Sequence, residues 1–86
     1  MADVIVTFKV MPKDTEVNLD NLESKIKSSI SPERIERHPI AFGIVALHVT
    51  KLVPDQGGGL VDKLEASLRE LKEVGEVEVI EVTRSL

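Results

Sequence analysis

The sequence predicts an α+β fold of the ferredoxin-like class, a split β-α-β two-layer sandwich with a four-stranded antiparallel sheet and two helices on one face. Three observations predict it. Apolar residues alternate with a period of two in strand-like segments, they recur with helical spacing in two other segments, and the segments follow the order β-α-β-β-α-β. One domain over residues 1–86 is expected.

The first strand and the first helix are predicted by their apolar spacing. The strand carries four alternating apolar residues, Val4, Val6, Phe8 and Val10. The helix carries an apolar stripe at three- and four-residue intervals, Leu19, Leu22, Ile26 and Ile30. Asn18 is predicted to cap this helix and Ser31-Pro32 to end it.

The second half of the chain predicts a hairpin, a helix and a last strand. The hairpin strands cover about Arg34–His38 and Ile44–Leu52. After the glycines at 57–59, a second helix is predicted by apolar residues at helical spacing, Leu60, Leu64, Leu68 and Leu71. Gly75 is expected to end this helix. The last strand covers about Val77–Thr83, and its apolar phase shifts between Val79 and Ile80, which predicts a bulge or burial on both faces.

Composition excludes several classes of function. The chain of 86 residues has 42% apolar residues, enough for one core, and no cysteine, which excludes a disulfide scaffold, a zinc finger and a thiol nucleophile. The net charge of −4 argues against direct nucleic-acid binding. No apolar run is long enough to span a bilayer, and no secretory signal is visible, so a soluble cytoplasmic protein is expected.

Motifs for chemistry are sparse. The outward positions of the first strand offer no aromatic platform for RNA bases, and the residues after the glycines do not continue a phosphate-binding loop. The serines lie outside any nucleophile motif, so we expect neither catalysis nor a cofactor. His38 and His48 flank the hairpin connection and could approach one another near Glu36. We interpret them as surface histidines without a metal.

Phe42 is the candidate functional residue. It is one of two aromatic residues in the chain, and it lies in the turn-like connection between Pro39 and Gly43. It could fold back onto the sheet. However, the helix-covered face already has a full set of apolar residues, so we expect Phe42 to be exposed and to contact a partner.

The segment Pro39–Leu47 resembles the P-I-x-F-G-[IL]-x-x-L hairpin of translation elongation factor 1-beta, the nucleotide exchange factor for elongation factor 1-alpha. The resemblance extends to the first strand through Met11-Pro12 and to the closing strand Val77–Val82, and so covers effectively the whole chain. The length is similar to that of the archaeal members.

The resemblance implies a function and a set of contact residues. The implied partner is the elongation factor 1-alpha GTPase, in its GDP-bound and nucleotide-free states. The implied contacts are the connecting loop, with Phe42 as a lever, and the C-terminal tail near the magnesium and phosphates: Pro39, Ile40, Ala41, Phe42, Gly43, Arg84, Ser85 and Leu86. Eukaryotic members have a penultimate lysine where this chain has Ser85. Either Arg84 takes the basic role, or that half of the mechanism differs.

Two other functions share the predicted topology. One is a small-molecule-binding regulatory domain of the ACT type, and the other is a minor enzyme on the same fold. The rate of GDP release from the GTPase would discriminate between them and an exchange factor.

Overall fold

The computed structural model describes residues 3–54 and 59–85 and has the predicted order of elements. They are β1 (Asp3–Pro12), α1 (Leu19–Ile30), β2 (Arg34–Pro39), a short 3₁₀ turn (Ala41–Gly43), β3 (Val45–Pro54), α2 (Leu60–Arg69) and β4 (Val74–Ser85). The four strands form one antiparallel sheet in the order β2-β3-β1-β4. This order and the two helices confirm the predicted α+β ferredoxin-like class.

The core lies between the sheet and the helices. Alternate residues of the central strands point toward the helices, and these inward side chains are fully buried or nearly so. The core comprises Val6, Phe8, Val10, Leu22, Ile26, Ile30, Leu47, Val49, Val53, Leu68 and Val77. Among the described residues, no helix covers the opposite face of the sheet.

Helix α1 begins and ends where the sequence predicts. The Asn18 side chain accepts a hydrogen bond from the Asn21 backbone N–H at 3.0 Å, which satisfies one of the free donors of the first turn. Ser31 takes a left-handed conformation with φ 47° and donates its N–H to Lys27, and Pro32 then prevents the helix from continuing.

The predicted end of α2 at Gly75 is wrong. The helix ends at Arg69, a turn follows in which the Val74 N–H donates to the Leu71 carbonyl, and Gly75 lies inside β4. A Cβ on Gly75 would stand 2.9 Å from the Lys13 Cα, closer than real contacts allow. Gly75 is therefore required by a close approach between two backbones and not by a helix terminus.

The strands are longer than predicted, and the bulge is confirmed. β4 extends to both sides of the predicted range, since Val74 pairs with Pro12 and Ser85 with Asp3. Thr7 pairs with Glu81 while Phe8 pairs with Val79, which leaves Ile80 as the extra residue of the bulge.

Candidate partner-binding site

The connection between β2 and β3 is a tight, hydrogen-bonded loop. The Ile40 N–H donates to the Ile44 carbonyl at 2.8 Å, and the Ile44 N–H donates to the Ala41 carbonyl at 3.3 Å. Phe42 has φ 61° and ψ 31°, and Gly43 has φ 75°, so both residues are left-handed. For Phe42 this conformation costs on the order of 1 kcal/mol, which the loop hydrogen bonds must offset.

The Phe42 side chain points away from the protein. It is 94% exposed, whereas Phe8, the other aromatic residue, is fully buried. Ile40 in the same loop is 40% exposed. The expectation that Phe42 is exposed is confirmed, and folding back onto the sheet is ruled out. A large apolar side chain held in water by a strained backbone adds nothing to the core of this fold, and such exposed apolar residues are typical of interaction surfaces.

The β1–α1 connection lies beside this loop. A cleft of about 40 Å³ separates the two, lined by residues 43–45 on one side and by side chains from Pro12 to Leu19 on the other. A Cβ on Gly43 would be 3.9 Å from the Thr15 Cγ2 atom, an ordinary van der Waals distance. Sequence reasoning missed this neighbour because the two segments are far apart in the chain and meet only through the sheet.

The predicted tail contacts lie at the other end of the sheet. Arg84 pairs with Val4, which in turn pairs with Val53 on β3. Val53 is eight residues along β3 from Val45, which corresponds to about 26 Å at the rise of about 3.3 Å per residue in a strand. The structure therefore does not bring the loop and the tail together. Leu86 lies outside the described residues, and Ser85 is described through its backbone pairing with Asp3.

The two histidines meet on the helix-free face of the sheet, just below the loop. Their rings are stacked with centroids 3.8 Å apart and planes 11° from parallel. The His38 Nε2 atom is 3.8 Å from a carboxylate oxygen of Glu36. Burial lowers the pKa of His48, and the neighbouring His38 and Lys9 lower it further.

No metal-binding set was found among residues 3–54 and 59–85: His, Asp and Glu side chains there form no group of three or more that could hold an ion. Within the same residues, neither helix is long and apolar enough to cross a membrane. The glycine connection before α2, which the sequence does not predict to bind a phosphate, is only partly described, since residues 57 and 58 lie outside these ranges.

The comparison with known families shows which family the chain belongs to. Residues 5–84 match the model of the EF-1 guanine nucleotide exchange domain. The chain belongs to this family. The match includes the Phe42 loop and Arg84, and Ser85 and Leu86 lie beyond it.

Curated relatives agree with this membership. The chain is 45% identical over 87 residues to elongation factor 1-beta of Methanosphaera stadtmanae, with 98% of each chain covered. It is 42% identical to the elongation factor 1-beta of Saccharolobus solfataricus, over 98% of this chain and 97% of that one. It is also 42% identical to the elongation factor 1-beta of Pyrococcus abyssi, over 95% of this chain and 94% of that one. The resemblance to the archaeal exchange domain is confirmed.

Proposed function

We propose that this chain accelerates GDP release, and thereby the exchange of GDP for GTP, on the GTPase elongation factor 1-alpha. Its family membership supports an exchange role, and the observation that carries the proposal is the 94% exposed, left-handed Phe42 at the tip of the β2–β3 loop. The partner is bound in its GDP-loaded and nucleotide-free states, and the reaction takes place in the cytoplasm.

Phe42 is the proposed anchor of the contact. An exposed aromatic side chain that becomes buried in a partner pocket is typical of interface hot spots, whose truncation costs about 2–4 kcal/mol. The rigid loop presents it without a large ordering cost, because two backbone hydrogen bonds already close the turn. Pro39, Ile40, Ala41 and Gly43 hold its position, and the exposed part of Ile40 adds apolar contact.

Thermodynamic linkage explains how such binding promotes nucleotide release. If the chain binds the nucleotide-free GTPase more tightly than the GDP form, it lowers the affinity for GDP by the same factor. A thousandfold change requires about 4 kcal/mol of differential binding. A buried aromatic anchor supplies much of that free energy. The chain itself needs no catalytic group or cofactor, since the bonds of the nucleotide are not changed.

The tail is the proposed second contact, near the magnesium and the phosphates. Arg84 is its positive charge, and Ser85 and Leu86 complete it. With about 26 Å between tail and loop, one GTPase can engage both only over a surface of that length. The loop and the tail then act on different regions of the partner.

A GDP-release assay tests the proposal. The GTPase is loaded with a fluorescent GDP analogue, excess GTP is added, and the off-rate is measured with increasing amounts of this chain. We expect the off-rate to rise and saturate. An off-rate that is independent of this chain would refute the proposed function.

A further inference from the structure

The stacked pair of His38 and His48 lies in the last rungs of the hairpin before the Phe42 loop. His38 pairs with Ala46 and His48 with Glu36, so the two histidines are diagonal neighbours on the helix-free face. Their contact joins β2 to β3 two residues before Ile40, where the loop begins. It does not contribute to the helix-covered core.

At this position the stack adds a side-chain contact to the backbone pairing of His38 with Ala46 and of Pro39 with Val45. β2 is an edge strand of six residues, and its last residue, Pro39, has no N–H to donate to β3. Farther from the loop, Arg37 fixes β2 to α1 through hydrogen bonds to Glu23 at 2.5 Å and Asp20 at 2.6 Å. Between Arg37 and the loop, β2 is therefore held by the backbone pairing of its last two residues and by the histidine contact.

Charged side chains flank the histidine pair on both sides. Glu36 is the carboxylate beside it, 3.8 Å from His38 Nε2, and Arg34 lies 4.0 Å from the same carboxylate. From the other side, Lys9 of β1 pairs in register with His48, and Glu78 of β4 pairs with Lys9. Two imidazolium rings at 3.8 Å would repel one another, with Lys9 adding to the repulsion.

We propose that the His38–His48 stack is a proton-sensitive latch that keeps the Phe42 loop closed at neutral pH and loosens it as the pH falls. A conformation that separates the rings exposes His48 and removes its contact with His38, so His48 takes up a proton more readily in it and acid favours it. The separation moves the end of β2, and with it the hydrogen bond from the Ile40 N–H to the Ile44 carbonyl. The consequence for exchange rests on the function proposed above.

The first test is made on the free chain and needs no partner. Hydrogen exchange of the Ile40 amide is followed by NMR from about pH 7.5 to about pH 5.5, as a protection factor that corrects for the chemical rate. We expect the protection to fall with pH in the natural chain, while that of the Phe8 amide in the core changes far less. His48→Gln should give pH-independent protection at Ile40.

A second experiment follows the titration of the His48 ring. In His38→Gln, the NMR titration of the His48 ring should move toward higher pH, since the neighbouring imidazole is gone. If the protection factor of the Ile40 amide did not change with pH in the natural chain, the proposed role of the histidine stack would be wrong. It would also be wrong if His48→Gln lost as much protection at low pH as the natural chain.

The third arm is the GDP-release assay over the same pH range, with the ratio of the natural chain to His48→Gln taken at each pH. That ratio removes the titration of the GTPase itself. We expect it to fall in acid, and a constant ratio would overturn the link to exchange. If the natural chain accelerated GDP release at no pH, the proposed function would be refuted. The protection of the Ile40 amide would still show whether the histidine stack controls the loop.

Discussion

Gly75 at the start of β4 lies directly against the backbone of Lys13, the residue that follows β1. A Cβ on Gly75 would stand 2.9 Å from the Lys13 Cα and 3.2 Å from the Pro12 carbonyl oxygen, and the Lys13 N–H donates to the Glu73 carbonyl beside it. This contact fixes the start of the β1–α1 connection, the segment that faces the Phe42 loop across the cleft.

Gly75→Ala should therefore destabilise the protein. The added methyl group meets backbone atoms that cannot rotate away, so we expect a loss of about 1–3 kcal/mol, as for other overpacked sites. Thermal melting measures it, with Glu76→Ala as the matched control on an exposed side chain of the same strand. Equal melting temperatures for the two variants would show that the β1 and β4 backbones separate without cost.

Phe42→Ala should abolish most of the exchange activity and leave stability nearly unchanged, because the side chain is 94% exposed. The control is Phe8→Ala, which removes a fully buried ring and should cost about 3–5 kcal/mol. Phe42→Gly should lose activity equally and be at least as stable as Phe42→Ala, since glycine accepts φ 61° without strain. The measurements are the GDP off-rate and the melting temperature. A large drop in the melting temperature of Phe42→Ala would contradict the surface role.

Removal of Ser85 and Leu86 should slow exchange without abolishing binding to the GTPase. The loop contact remains intact about 26 Å away, so affinity is retained in part while the effect on the nucleotide site is lost. Binding is measured by titration calorimetry and exchange by the GDP off-rate. A truncated chain with full exchange activity would argue against the tail contact.

The Lys25–Glu73 ion pair makes the free energy of unfolding depend on pH in the acidic range. The hydrogen bond from Lys25 lowers the pKa of Glu73 below its ordinary value of 4.5. A lowered carboxyl pKa means that the unfolded chain binds the proton more readily, so the stabilisation is present above about pH 4.5 and is lost as the pH falls through the lower, folded pKa.

Lys25→Met should reduce this acid-dependent part of the stability. The free energy of unfolding of the natural chain and of Lys25→Met is measured by urea unfolding, at neutral pH and at pH values below the ordinary carboxyl pKa. Lys27→Met, on an exposed residue of the same helix, is the control. If the difference in unfolding free energy between the natural chain and Lys25→Met were the same at all pH values, the ion pair would not be its cause.

Local signals explain which parts of this structure the sequence could predict. The α1 boundaries follow from a capping side chain at Asn18 and from Ser31-Pro32, all within one turn of the helix ends. The exposure of Phe42 follows from its turn flanks and from a core already complete without it. The bulge at Ile80 follows from a shift in the apolar phase.

Long-range geometry explains what the sequence could not predict. Gly75 has the sequence context of a helix end, and only the approach of Lys13 gives its real role. Likewise, the separation of the loop from the tail depends on the strand order and on the pairing of Arg84 with Val4. Neither relationship is recorded in the spacing of neighbouring residues.

The distance between the Phe42 loop and Arg84 makes their energetic effects separable. Changes at sites more than about 7–10 Å apart with no shared partners usually add, and these two sites lie on opposite ends of one sheet. In a double-mutant cycle of Phe42→Ala and the tail truncation, additive losses of exchange activity would mean two independent contacts with the GTPase. A coupling energy would instead have its origin in the partner, in a movement that connects the two regions of the GTPase that the loop and the tail are proposed to contact.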